Sequence, residues 1–470
     1  MMKINVDRGK SVQILAACSA NLLSILFGFV LSWTSPAIAL LQSEQSPLES
    51  GPITIEEVSL MTALMYVGCC LGSIVAGWLA NAVGRRTSLL ILVVPQLVGF
   101  ILIAVARNVI YLHISRVFSG FAAGSCVCVF PIFVSEISDK SLRGVVGNIL
   151  GFGFNFGCLV GKILTSYGGF YATPIAVFVI IGIFIVIFIN LPDTPQYFLL
   201  RDRPVDAERS LKFYRGIPKD EMMPPNVEEE FSELKKSPSL TNQNVSLSLQ
   251  NFKGGSTLLA IFITFFLSCN QNFTGNRILI GYTMTLLQKS GSLMDAAAVD
   301  VAITGIQVIV AIASIFIVKI SGCRNTLIWY YAISAISLAI AGIHYFLHEI
   351  YVDMSNFWWL IFISMAVSVA LPGTGLNSIA FALPAEILPA KIRGSVISSF
   401  LVLSWILAFL SVQFYFPLAT FWGNSVWMWI FAVFCLIGVF FTYFLIPETQ
   451  GKTFDQIVEI LDKKIPNKLK

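Results

Sequence analysis

Eight consecutive residues hold the densest polar chemistry in an otherwise apolar stretch: Asn270-Gln271-Asn272-Phe273-Thr274-Gly275-Asn276-Arg277. An amide side chain both donates and accepts hydrogen bonds, so a cluster of amides matches a neutral, hydroxyl-rich ligand. A glycine in such a run weakens the helix, and non-helical backbone at membrane depth is tolerated only where it lines protein or water. Arg277 adds a fixed charge, which inside a span is by default a functional-site residue. Unpaired, it would favour a carboxylate or phosphate partner; Asp300 is the nearest acidic candidate in the chain. A second constellation is charged and occurs twice. Glu136 precedes Arg143-Gly144, and Glu386 precedes Arg393-Gly394, by the same seven residues. Glutamates and arginines at helix ends suggest a latch that holds one face of the molecule closed and releases when that face opens. Charges that only set topology would not need the glutamates.

These residues need a membrane scaffold. The chain has 470 residues, of which 56% are hydrophobic and 12% charged, against about 25% charged in ordinary soluble domains. Charge-poor segments of roughly the 20 residues that cross a bilayer recur along it. They fall at 11–40, 57–83, 87–106, 110–134, 143–168, 172–191, 256–288, 299–318, 326–346, 357–384, 394–417 and 425–446. The spacing predicts an all-α membrane protein of twelve transmembrane helices. Its parts are an N-terminus (1–10), a six-helix half (11–191), a polar loop with short helices (192–255), a second six-helix half (256–446) and a tail (447–470). Within the loop, Asp206 to Tyr214 has an amphipathic helical pattern and Ser237 to Asn251 reads as flexible. Lys and Arg gather at both termini and in alternate loops, whereas Gln42 to Glu57 carries only acids. The positive-inside rule then places both termini in the cytoplasm. The basic start and Ala37-Ile38-Ala39 mimic a secretory signal, but the apolar run is too long for one. Nine scattered cysteines read as free, buried thiols, and His113, His344 and His348 form no metal-ligand pattern. The Asn-X-Ser/Thr sequences at Asn244 and Asn272 are expected to stay unmodified, one on the cytoplasmic side and one inside a span.

The halves repeat one another. Besides the two Glu…Arg-Gly blocks, Pro192-Asp193-Thr194 is echoed by Pro447-Glu448-Thr449, and Gly84-Arg85-Arg86 by Gly322-Cys323-Arg324. Three matches in one order mean a duplicated six-helix unit. Transporters commonly carry such repeats, with the solute site near the midplane where the halves meet. Gly68/Gly72, Gly120/Gly124 and Gly153/Gly157/Gly161 have the spacing that lets membrane helices pack closely.

These motifs resemble the sugar porter branch of the major facilitator superfamily over nearly the whole chain, with insect facilitated trehalose transporters the most similar. The resemblance rests on Gly84-Arg85-Arg86; on Arg116, Gly120, Gly124, Glu136, Arg143 and Gly144; and on Pro192 to Pro195. It also rests on the span-seven amide block, Trp33 to Pro36, Glu386 to Gly394, and Pro447 to Thr453. It implies the major facilitator fold with pseudo-symmetric halves. It also implies that Gln271, Asn272, Gln307 and Trp405 contact a sugar, with Arg277 standing at an asparagine position, Phe381 at a tryptophan position and Asn155 one turn from a missing glutamine. Arg85, Glu136, Arg143, Arg324, Glu386 and Arg393 are the implied gating residues. Proton-coupled members place an aspartate just after a Phe-Gly pair on the first span; here Phe27-Gly28-Phe29 is followed by Val30.

The expected function is therefore facilitative, uncoupled transport of a trehalose- or hexose-class sugar by alternating access, at the plasma membrane. The alternatives are an anionic or other solute bound through Arg277, and a non-transporting sugar sensor. No catalytic triad, metal set or phosphate-cradling loop points to an enzyme. No cofactor, metal, nucleic acid or obligatory protein partner is expected; the partners are a small solute and the lipid bilayer.

Overall fold

The structure is a computed structural model that describes residues 2–139, 142, 149–218, 220–236, 255–290, 295–352, 354–450, 452 and 454–464. The described chain is helical throughout. Ten helices are long and apolar enough to cross a membrane. One of them, Ile392–Leu445, is two helices joined across Gly423, where φ is 81°. The shorter apolar helix Ala172–Phe188 completes the expected twelve.

Helix starts follow ordinary capping chemistry. Thr54 opens the second span, Ile55–Val83, by accepting from the Glu57 N–H while the Glu57 carboxylate takes the Thr54 N–H. Such a box is worth about 1 kcal/mol. Asn108 and Asp295 cap the fourth span, Val109–Ile137, and the eighth, Ala296–Ser321, in the simpler way. The duplicated turns are built alike. Gly84 has φ 102°, and the Asp193 carboxylate accepts the N–H groups of Arg85 and Arg86 at 2.9 and 3.3 Å. Gly322 has φ 81°, and Glu448 accepts from the Cys323 and Arg324 N–H groups at 3.1 and 3.2 Å. A carboxylate at a helix N-terminus meets both the unpaired N–H groups and the helix dipole.

The small-residue stripes lie at close helix crossings. Side chains at Gly68 and Gly72 would collide with backbone of the fourth span, and side chains at Gly120 and Gly124 with backbone of the second. On the fifth span, Ile149–Gly168, Gly157 faces the Ile25 backbone of the first span, and Gly153 and Gly161 face the Asn21 and Ser32 side chains. The polar loop places helices Pro195–Leu200, Pro204–Tyr214 and Pro225–Lys236 on the face that also holds the termini, called here the terminal face. Ala207, Leu211, Ile217, Val227 and Phe231 give these helices a small core of their own. Gln13 and Arg215 tie them to the first and fourth spans. Residues 237–254, read above as flexible in part, lie outside the described set. All nine cysteines are free, with Cys18 exposed and Cys70, Cys128, Cys269 and Cys323 half-buried rather than fully buried.

Gly120→Val should cost at least about 3 kcal/mol, because the collision is with backbone rather than a movable side chain. Gly77→Ala, which meets nothing nearby, should be neutral. Thermal unfolding midpoints of the purified proteins in detergent would compare the two.

Candidate functional site

The seventh span breaks at its amides. Helix Gly255–Phe273 ends, Thr274 and Gly275 follow, and helix Asn276–Gln288 begins. Gly275 has φ 78°, and a side chain there would strike the Phe431 ring. The break turns Asn270, Gln271 and Asn272 at one helix end, and Asn276 at the next helix start, into buried groups.

Two clusters grow from this break. In the first, Asn272 donates to the Ser268 carbonyl at 2.7 Å and to Ser404 Oγ at 3.0 Å, and accepts from Arg277 Nε at 2.9 Å. The Arg277 guanidinium lies 4.8 Å from the Trp405 ring centre and 5.4 Å from that of Tyr66. Each such contact contributes about 0.5–2 kcal/mol. Trp405 Nε1 donates to Ser73 Oγ at 3.0 Å, across from the eleventh span to the second. Arg277 therefore sits in the seam between the halves beside the Trp405 and Tyr66 rings, whose centres are 6.2 Å apart.

The second cluster is amide only. Gln307 of the eighth span donates to Asn155 Oδ1 of the fifth at 2.8 Å, and both residues are buried. Gly373 lies beside them in a single π-helical turn, Pro372–Leu376. A methyl group there would sit 2.8 Å from Gln307 Nε2 and 3.4 Å from Asn276 Oδ1. Asn276 Oδ1 is buried and, among the described residues, accepts no hydrogen bond. Three amides from three spans thus converge, one with an acceptor to offer. A π-turn inside a helix often marks a functional site.

The structure brings Asn272, Arg277 and Trp405 together, and Asn155 with Gln307. Gln271 is buried beside the break. Phe381 lies on helix Asn377–Ile387, and its side chain is outside the described residues. Tyr66, Ser73, Ser404 and Asn276 were not singled out from sequence. Tyr66 stands in an apolar run with no signal to mark it, whereas Asn276 was within the amide block all along.

The charged residues expected to form a latch make the following contacts. Glu136 pairs with Arg85 at 3.0 Å and accepts from Thr194 Oγ1, all within the first half. The reason is local: Glu136 closes the fourth span where Arg85 opens the third. Arg143 lies outside the described residues. In the second half Glu386 is exposed, and Arg393 donates to the Leu388 carbonyl at 3.1 Å. Arg324 donates to the Tyr443 carbonyl at 2.5 Å and lies over the Tyr443 ring. His344, one of the three histidines, is buried beside the Ser290 carbonyl.

The Sugar (and other) transporter family matches residues 16–461. This chain belongs to that family. It is 28% identical over 455 residues to the facilitated trehalose transporter Tret1-2 homolog of Drosophila simulans, covering 97% of this chain and 92% of that protein. It is 28% identical over 447 residues to the facilitated trehalose transporter Tret1 of Polypedilum vanderplanki, covering 95% and 87%. The inward-open xylose transporter XylE of E. coli has a similar fold, with TM-score 0.76 and 19% identity over 94% of this chain and 98% of that one. The architecture is the major facilitator fold, and the protein is a multi-pass membrane transporter rather than an enzyme.

The two glutamates should behave differently. Glu136→Ala leaves Arg85 buried without its carboxylate, a loss of about 3–5 kcal/mol. Glu386→Ala, at an exposed position, should stay within about 0.5 kcal/mol. Unfolding midpoints in detergent would show the difference.

Proposed function

We propose that this protein is a facilitative uniporter for a sugar of the trehalose or hexose class, working by alternating access. The observation that carries the reading is the convergence of Asn155, Gln307 and Asn276 at the junction of the halves. These groups present both donors and acceptors to a ligand rich in hydroxyls. Trp405 and Tyr66 supply ring faces beside them. Family membership and the trehalose transporters among the relatives support the same substrate class. The clustering of Arg and Lys on the terminal face supports a cytoplasmic location for both termini, and the plasma membrane is proposed as the host.

Arg277 does not turn the site toward anions in this reading, because Asn272 and two ring faces already engage it. Uncoupled transport is supported by the first span. Arg116 donates to the Val30 carbonyl at 2.6 Å and to Thr34 Oγ1 at 2.7 Å, and lies 4.5 Å from the Trp33 ring centre. Backbone, hydroxyl and ring engage two of its nitrogens and its flat group without a carboxylate on that span, and its Nε has no hydrogen-bond partner among the described residues.

Proteoliposomes holding the purified protein should take up labelled trehalose, glucose or fructose saturably, and an imposed pH gradient should leave the rate unchanged. Gln307→Leu should weaken apparent affinity roughly tenfold or more, as expected for a buried amide worth about 1–3 kcal/mol. Flux that appeared only in Arg277→Asn would sink the proposal and return Arg277 to the centre of the site.

A further inference from the structure

Two polar pairs join the fifth span to the eighth. One is Asn155 with Gln307, described above. The other is Lys162 with Asp300, Nζ to Oδ1 at 2.5 Å, with side-chain exposures of 1% and 0%. The partners are seven residues apart on each helix, and the helices run antiparallel. The pairs are therefore in register, two turns or about 10 Å apart. The ion pair is the one nearer the face opposite the termini. Asp300 Oδ2 also accepts from Ser35 Oγ at 2.9 Å, and Ser35 Oγ accepts the Met284 N–H at 3.0 Å. Ser35 and Lys162 belong to the first half of the molecule; Asp300 and Met284 belong to the second. Four helices, two from each half, thus meet around one carboxylate.

We infer that Lys162, Asp300 and Ser35 form the gate on the face opposite the termini. They close the path above the amide site and must separate each time that site opens to that face. A solute reaching Asn155, Gln307 and Asn276 from that side has to pass where these four helices meet. The ion pair suits the role for a physical reason. Each charge is satisfied by the other while the seam is dry, and by entering water once the seam opens. An orphaned charge in a dry seam has neither, which ties separation of the pair to opening of the path. The gate rests on the alternating-access reading, but its test needs no solute.

The test uses the full chain with its nine natural cysteines replaced and Thr304→Cys added. Thr304 is buried one turn below Asp300 on the eighth span. A membrane-impermeant maleimide is applied separately to each face of reconstituted vesicles. Lys162→Met/Asp300→Leu removes both charges and leaves neither orphaned. It should raise labelling from the face opposite the termini at least tenfold and leave labelling from the terminal face unchanged. Lys162→Asp/Asp300→Lys should restore the parent rate. Equal rates in all three proteins, or faster labelling from both faces, would overturn the gate. Lack of sugar flux alongside the expected labelling pattern would overturn the transport reading alone.

Discussion

A polar side chain at membrane depth must bond to protein groups or to water in a cavity, and this chain gathers many such side chains at the seam between its halves. Lipid-facing positions such as Trp78, Val186 and Phe444 are apolar and exposed. Asn155, Gln307, Lys162, Asp300, Asn272 and Arg277 instead face one another across helices. In the proposed reading, the amides that bond to each other here, Asn155 and Gln307, are also groups that a solute engages. Binding exchanges one set of hydrogen bonds for another. Because the net value of an exchanged bond is only about 1 kcal/mol, entry and release are both cheap. A carrier without an energy source needs that balance, since a deep well would trap its cargo.

The duplication explains which features are shared and which have diverged. Both halves keep a carboxylate, Asp193 or Glu448, at the start of a helix that follows a positive-φ glycine. That service is to backbone, so it survives any change of neighbouring side chains. The next position differs. Arg85 closes on Glu136 and approaches the Tyr197 ring. Its counterpart is Cys323, and a cavity of about 520 Å³ lies there, lined in part by Cys323, Glu386, Lys319 and Lys452. One half is braced by a buried ion pair at the terminal face, and the other shows none among the described residues. The cysteine cannot span the distance that the guanidinium spans, which accounts for the exposed Glu386.

Much of this was legible in the sequence because the signals were periodic or compositional. Twelve apolar stretches, the glycine stripes and the paired turns all came through, since each depends on bilayer thickness or backbone approach. The break at Gly275 was legible because a glycine among amides has few other uses inside a span. The partners were not legible. Nothing in the sequence joins Lys162 to Asp300, 138 residues away, and the register that aligns them exists only once the fifth and eighth helices pack. The π-turn at Pro372–Leu376 carried a helix-breaking signal, Pro-Gly-Thr-Gly, but nothing in that signal fixes the form of the break. The charged blocks were seen, but the pairing of Glu136 with Arg85 was not, because it depends on which helix ends pack together.

Arg277 shows why substitution at a site position need not change the class of ligand. A bare guanidinium at membrane depth would call for an anion. Here its Nε bonds to Asn272 and its guanidinium lies beside the Trp405 and Tyr66 rings. Asn272 and Trp405 belong to the second half, together with Arg277, whereas Tyr66 belongs to the first. In the proposed alternating-access cycle, rocking of the halves would keep two of these three contacts and give up only one. The arginine would then travel as part of the second half's wall, with its charge already engaged, and leave the amides of Asn276 and Gln307 to meet the solute.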